Sequence, residues 1–103
     1  MRDGVLLLFY DVSAQTKADR AAYRKLFKTL RKEGYMMLQE SVFYKYLRNL
    51  AMYPYEVARI KELEIGNGDV FCLPLGFRSF SRMIAIHGNL PDMQHIASPV
   101  WYY

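Results

Sequence analysis

A single cysteine, Cys72, leaves the chain without an internal disulfide. The disulfide-stapled secreted scaffolds are thereby excluded, and a reducing, cytoplasmic setting is expected. Cys72 sits inside Val70-Phe71-Cys72-Leu73 and reads as a small core residue. No apolar run approaches the roughly 18 residues that a membrane span needs. The start, Met1-Arg2-Asp3-Gly4, runs straight into an apolar stretch with no small-residue cleavage site, so no signal peptide is expected. Histidine is scarce too. His87 and His95 are the only two, and core or surface roles are expected of both.

What is abundant excludes disorder: 52% of the 103 residues are hydrophobic, with nine Tyr and six Phe. One domain of this length has room for a real core but not for two. The most apolar stretch is Leu6-Leu7-Leu8-Phe9-Tyr10-Asp11-Val12, which ends in a lone carboxylate. Bounded by Gly4 and by the polar Ser13 to Thr16, it predicts a buried β-strand. Asp11 then stands where the strand leaves the core. A carboxylate there commonly forms a turn or caps a helix. Loop ends held by a rigid sheet are also where chemistry is placed.

Acidic charge is missing where basic charge gathers. The net charge is +4, and between Lys17 and Glu33 seven basic residues face two acidic ones. That segment alone carries a surplus of five, so the rest is close to neutral. Ser13 or Thr16 is placed to cap a helix over it, Asp19 favours its first turn, and Gly34 is a natural terminator. At about 100° per residue Tyr23, Leu26, Phe27 and Leu30 share one face. Lys17, Arg20, Arg24, Lys28 and Arg31 gather on the flank beside it. Charge on a helix is usually a solvated face. Five cations in one stripe with few acids to pair them point equally to a polyanion such as nucleic acid.

Further along, Tyr35 to Leu38 and Val42 to Leu47 predict two short strands around Gln39-Glu40-Ser41. Pro54 suits the first turn of a helix reaching Leu63. Ile65 to Asp69 reads as a turn, Val70 to Leu75 as a strand with Pro74 near its end, Phe77 to Arg82 as a helical turn, and Met83 to Ile86 as a short last strand. The order β-α-β-β-α-β is the split βαβ, ferredoxin-like arrangement, an α+β fold with both helices on one face of an antiparallel sheet. It gives a domain over 1–88, read as nucleic-acid-binding, and a tail over 89–103. A strand with one face in water should alternate apolar and polar, and Leu6 to Tyr10 and Val70 to Leu75 do not. A homodimer packed sheet on sheet would cover the second face. Symmetry would also pair Asp11 with its copy, because one Asp per chain is a poor magnesium site and two are a plausible one.

Taken together, Phe9-Tyr10-Asp11-Val12, the basic helix and Gln39-Glu40-Ser41-Val42-Phe43 resemble a known family. It is the small CRISPR-associated adaptation protein, the endoribonuclease-fold partner of the CRISPR integrase. The resemblance covers about residues 4–88, and Phe80 to Gly88 resembles the versions found at type II loci. It implies a homodimer whose C-terminal strands reach the partner subunit. It also implies a magnesium ion shared between subunits at Asp11, the metal-binding and catalytic carboxylate of a nuclease for single-stranded RNA or duplex DNA. In spacer acquisition such a protein holds the incoming duplex DNA for the integrase. On the same resemblance Lys17, Arg20, Arg24, Lys28 and Arg31 become phosphate contacts, and Arg78 and Arg82 contacts to DNA or the integrase. Tyr44 stands where an acidic residue often follows the Phe, which weakens a second carboxylate there. Ser13 is expected to cap the helix rather than orient a ligand, Phe43 to pack in the dimer core, and Trp101-Tyr102-Tyr103 to anchor a partner or clasp the domain. Two other readings share these residues: a free-standing toxin-type ribonuclease of the same fold, and a non-catalytic ferredoxin-like RNA-binding regulator.

Overall fold

The computed structural model describes residues 2–97. Four strands form one antiparallel sheet: β1 (Gly4–Val12), β2 (Met36–Gln39), β3 (Val42–Leu47) and β4 (Gly68–Gly76), in the order β2-β3-β1-β4. This is the ferredoxin-like order. β1 lies inside the sheet because it is the most apolar strand, and Leu8 faces Phe43 on one side and Cys72 on the other. The connections are α1 (Lys17–Lys32) and α2 (Tyr53–Lys61), the latter preceded by a 3₁₀ turn over Leu50–Met52.

Sequence dictates where α1 starts and stops. Thr16 caps it, accepting the Asp19 amide at 3.0 Å while the Asp19 carboxylate accepts the Thr16 amide, a reciprocal capping box. Gly34 ends it at φ 97°, a conformation that costs other residues about 1–2 kcal/mol. Leu26 and Leu30 are buried on one face, packing with Leu6, Leu8, Tyr10, Phe43 and Ile60 of α2 into the main core. Each fully buried Leu there contributes about 1.5–3 kcal/mol. α2 is tied to the sheet by its Glu56, which accepts from Lys45 Nζ at 3.0 Å and from the Tyr35 hydroxyl at 3.3 Å.

The opposite sheet face and the packing around it depart from the sequence reading in four ways. Val5 and Leu7 are buried by the chain itself, under Phe80 of α3 (Phe77–Ser81), with Met83, Met93 and Ile96 packed beside them. The last two belong to α4 (Met93–Ile96), a short helix in the stretch read only as a tail. Met83 to Ile86 is not a strand: it pairs with no strand among the described residues, because it crosses the open face beside Leu7, Phe9 and Val42 rather than following a sheet edge. A strand exists only through its ladder. Phe43 is not on a dimer face either. It is buried on the helix side, its ring centroid 5.5 Å from those of both Tyr10 and Phe27. Tyr44 is buried against Phe80 on the other side. The readings placed on Trp101-Tyr102-Tyr103 lie outside the described residues.

Candidate functional site

Antiparallel pairing brings the end of β1 to the start of β4. Asp11 is there the direct cross-strand partner of Asp69, as Phe9 is of Phe71 two residues below. Cross-strand partners share a face, with Cβ atoms about 4.5–5.5 Å apart. Both carboxylates are exposed on the face away from α1 and α2 and border one shallow cleft with Phe9, Ser41 and Phe71. Like charges placed directly opposite are unfavourable, so this corner is stabilised by any bound cation. Hard carboxylate oxygens on two adjacent strands, open to water, are a donor set that suits magnesium. Among the described residues no group of three or more His, Cys, Asp or Glu comes together, so one chain offers this pair and no more.

The backbone under the pair is closely fitted. Gly68, partner of Val12, sits at φ 138°, and a Cβ there would lie 2.4 Å from the Asp11 carbonyl oxygen. The loop leaving β1 is fixed as firmly. The Ser13 amide donates to the Asn67 carbonyl at 3.0 Å, and its hydroxyl donates to the Asp19 carboxylate at 2.8 Å. Ser13 is thus a support for the capping carboxylate rather than the cap. Its hydroxyl, followed by the Thr16 amide, holds the Asp19 carboxyl below the ordinary carboxylate range. Arg20 turns back to the Ala14 and Gln15 carbonyls at 3.4 and 3.2 Å, closing the loop over the helix start.

Behind Asp11, toward the helices, lies a pocket of about 370 Å³ between the end of β1, the β2–β3 turn and Tyr23 of α1. The Tyr10 hydroxyl donates to the Glu40 carbonyl and meets the Tyr23 hydroxyl at 3.1 Å. Burial is the main reason the Tyr10 hydroxyl is held well above the ordinary phenol range.

The basic flank is formed as the sequence suggests. Lys17, Arg20, Arg24, Lys28 and Arg31 are all exposed. From Lys17 to Arg31 the row is about 21 Å long at 1.5 Å per residue. No carboxylate among the described residues pairs with Lys17, Arg24, Lys28 or Arg31, whereas Lys25, off the stripe, reaches Glu64 at 3.3 Å. Arg78 and Arg82 are exposed on and just after α3. His87 and His95 are both exposed.

Asp69 and Tyr23 escaped the sequence reading. The fold order alone could have supplied Asp69, because in an antiparallel pair a carboxylate ending one strand meets one beginning its neighbour. Tyr23 carries no such signal, since its ring also packs against the core as an ordinary helix residue would.

These features define a small ferredoxin-like α+β protein with a basic first helix and a carboxylate pair at one end of its sheet. The model of the CRISPR associated protein Cas2 family matches residues 5–83, and the chain belongs to that family. It is 36% identical over 84 residues to the CRISPR-associated endoribonuclease Cas2 of Streptococcus mutans serotype c (strain NN2025), covering 82% of this chain and 78% of that one. The protein of the same name from Ligilactobacillus salivarius (strain UCC118) is 30% identical over 84 residues, covering 82% and 83%.

Proposed function

We propose that this chain works as a homodimer that lays a nucleic-acid backbone along α1 and carries a divalent-metal nuclease site at Asp11. In spacer acquisition it would hold duplex DNA as a scaffold for the CRISPR integrase. The observation that carries this reading is the position of the carboxylate pair. Asp11 and Asp69 stand at the rim of an apolar patch in which Phe9, Phe71 and Leu73 are 37%, 67% and 49% exposed. A second copy covering that patch would bring two carboxylate pairs to one cleft and give a cation four oxygen-bearing side chains. Ile84 and Ile86, 83% and 98% exposed, extend the same apolar surface and supply a segment for the partner's β4 edge. An unpaired nine-residue edge is a template for such pairing.

In this reading Asp11 and Asp69 hold magnesium, which when bound polarises a phosphate and activates water. The rest falls to the chain. Lys17, Arg24, Lys28 and Arg31 bind phosphates without choosing sequence, which suits a scaffold for duplexes of any sequence. Arg20, engaged with the loop carbonyls, holds the β1–α1 loop and leaves its remaining guanidinium donors for a phosphate. Ser13, through Asp19, fixes where the helix begins relative to Asp11.

The test is duplex binding against salt, together with capture by the integrase encoded at the same locus. Phosphate contact releases counterions, so log K should fall linearly with log salt, and Arg24→Gln with Lys28→Gln should lower the slope by about two. Binding that ignores salt, with no capture by the integrase, would count against phosphate contact along α1 and overturn the scaffold reading.

A further inference from the structure

The stretch that follows α3 is held to the sheet by apolar side chains alone. Met83 and Leu90 are half-buried, and the residues between them, 84–89, are all exposed. They arch over the sheet face and leave a hollow of about 660 Å³ above Leu7, Phe9, Leu38 and Val42. Gly88, at φ 90° with open space where a Cβ would stand, bends the arch. Beyond it α4 sets Met93 and Ile96 against the cluster of Val5, Leu7, Tyr44 and Phe80. Among the described residues, the hydrogen bonds of 84–97 stay inside that stretch. The His95 amide donates to the Asp92 carboxylate, the Ile96 amide to the Asp92 carbonyl and the Ala97 amide to the Met93 carbonyl. A four-residue helix is too short to stand unaided. Apolar contact is what keeps α4 on the sheet.

The same ground is what a second copy needs. On the bare half of the face Leu73 is the cross-strand partner of Leu7, and Phe71 of Phe9. Neighbouring strands lie about 4.8 Å apart, whereas a sheet packed on a sheet covers several strands at once. A copy laid on Phe71 and Leu73 therefore meets the arch one strand further in. The bare half is also too small by itself. A stable interface takes about 800 Å² from each partner, and Phe9, Phe71 and Leu73 are three side chains.

We infer that α4 is a displaceable cap, an autoinhibitory contact that competes with the second copy for the sheet face. In the single chain Met93 and Ile96 shield Val5 and Leu7 from water. As the second copy settles, its side chains take over that shielding and α4 lifts away on the arch, with Gly88 as the bend. Each copy carries the same cap, so both must open and the penalty on pairing counts twice. A metal site shared between two copies is then assembled only where the chain is concentrated enough to overcome it. The inference rests on the proposed homodimer and adds to it a control on its formation.

Sedimentation equilibrium of the full chain over a dilution series tests it, with Met93→Gln plus Ile96→Gln and, separately, Asp92→Ala. The double variant removes the apolar hold of α4. Asp92→Ala removes its N-cap and leaves the apolar residues in place, so the test survives if the double variant unfolds. The double variant should dimerise at least about tenfold more tightly than wild type, because the binding-competent state is no longer a minor one. Asp92→Ala should move the same way by a smaller step. Hydrogen exchange gives a second reading: the Ile96 and Ala97 amides should exchange faster in concentrated wild type, where the dimer prevails, than in dilute wild type. An unchanged or weaker dimer in both variants, or Ile96 and Ala97 amides slowed by dimerisation, would overturn the cap. Wild type and both variants all remaining monomeric would instead overturn the homodimer itself.

Discussion

Asp11 and Asp69 are direct cross-strand partners at the open end of β1 and β4, both exposed on the sheet face away from α1 and α2. Two carboxylates so placed repel in the metal-free chain. Asp69→Asn should therefore stabilise the protein in chelator by about 0.2–1 kcal/mol at low salt. In magnesium the order should reverse, with wild type gaining midpoint temperature and the variant gaining less. Thermal unfolding in the two buffers reads both effects. An equal gain in magnesium for both proteins would remove Asp69 from the site.

Gly68 holds the backbone beneath that pair. A Cβ there would collide with the Asp11 carbonyl and lie 2.5 Å from Val12 Cα, at a φ of 138°. Gly68→Ala should cost at least about 3 kcal/mol, since backbone strain and a forced shift of β1 add together. Gly34→Ala is the control. Its Cβ would meet only the Lys45 side chain at 3.4 Å, so its cost should stay near the 1–2 kcal/mol of a left-handed residue. Urea unfolding of both variants separates the two situations.

The exposed apolar patch predicts a change in mass. Phe71→Glu with Leu73→Glu places charge on the face proposed to meet the second copy, while leaving the Leu6, Leu8 and Tyr10 side untouched. Sedimentation should give the monomer mass for this variant and twice that for wild type. A wild-type monomer at micromolar concentration would remove the shared-site proposal.

Alkaline stability should fall for a reason local to the core. Burial, first among the causes, raises the hydroxyls of Tyr10 and Tyr35 above their ordinary value in the folded chain. Above about pH 10 the unfolded chain releases these protons and the folded chain keeps them, so unfolding is favoured as pH rises. Each tyrosine steepens the decline by up to about 1.4 kcal/mol per pH unit. Tyr35→Phe should flatten the slope above pH 10, at the cost of the Glu56 hydrogen bond at neutral pH. Denaturant midpoints between pH 8 and 11 check the sign.

How much of this was legible beforehand depends on the kind of signal each element carries. The ends of α1 were readable because Thr16, Asp19 and Gly34 act through local backbone chemistry. The order of strands followed from apolar runs and turns. Which face Phe43 occupies was not readable: Phe43 and Tyr44 are both buried, so β3 has no alternation to fix its parity. The unbroken apolar character of β1 correctly signalled a second covered face. It could not signal that α3 and the four residues of α4, a helix too short to show periodicity, provide part of the cover. The carboxylate at 69 read as a turn residue because the strand register extends through Gly68, where composition argues for a loop.

The central claim is a nuclease site that depends on Asp11 and a divalent ion. Cleavage of single-stranded RNA and duplex DNA by wild type and Asp11→Asn, each in magnesium and in chelator, tests it most directly. The account predicts cleavage by wild type in magnesium alone, lost in chelator and in the variant. Cleavage that survives both the chelator and the substitution would contradict it.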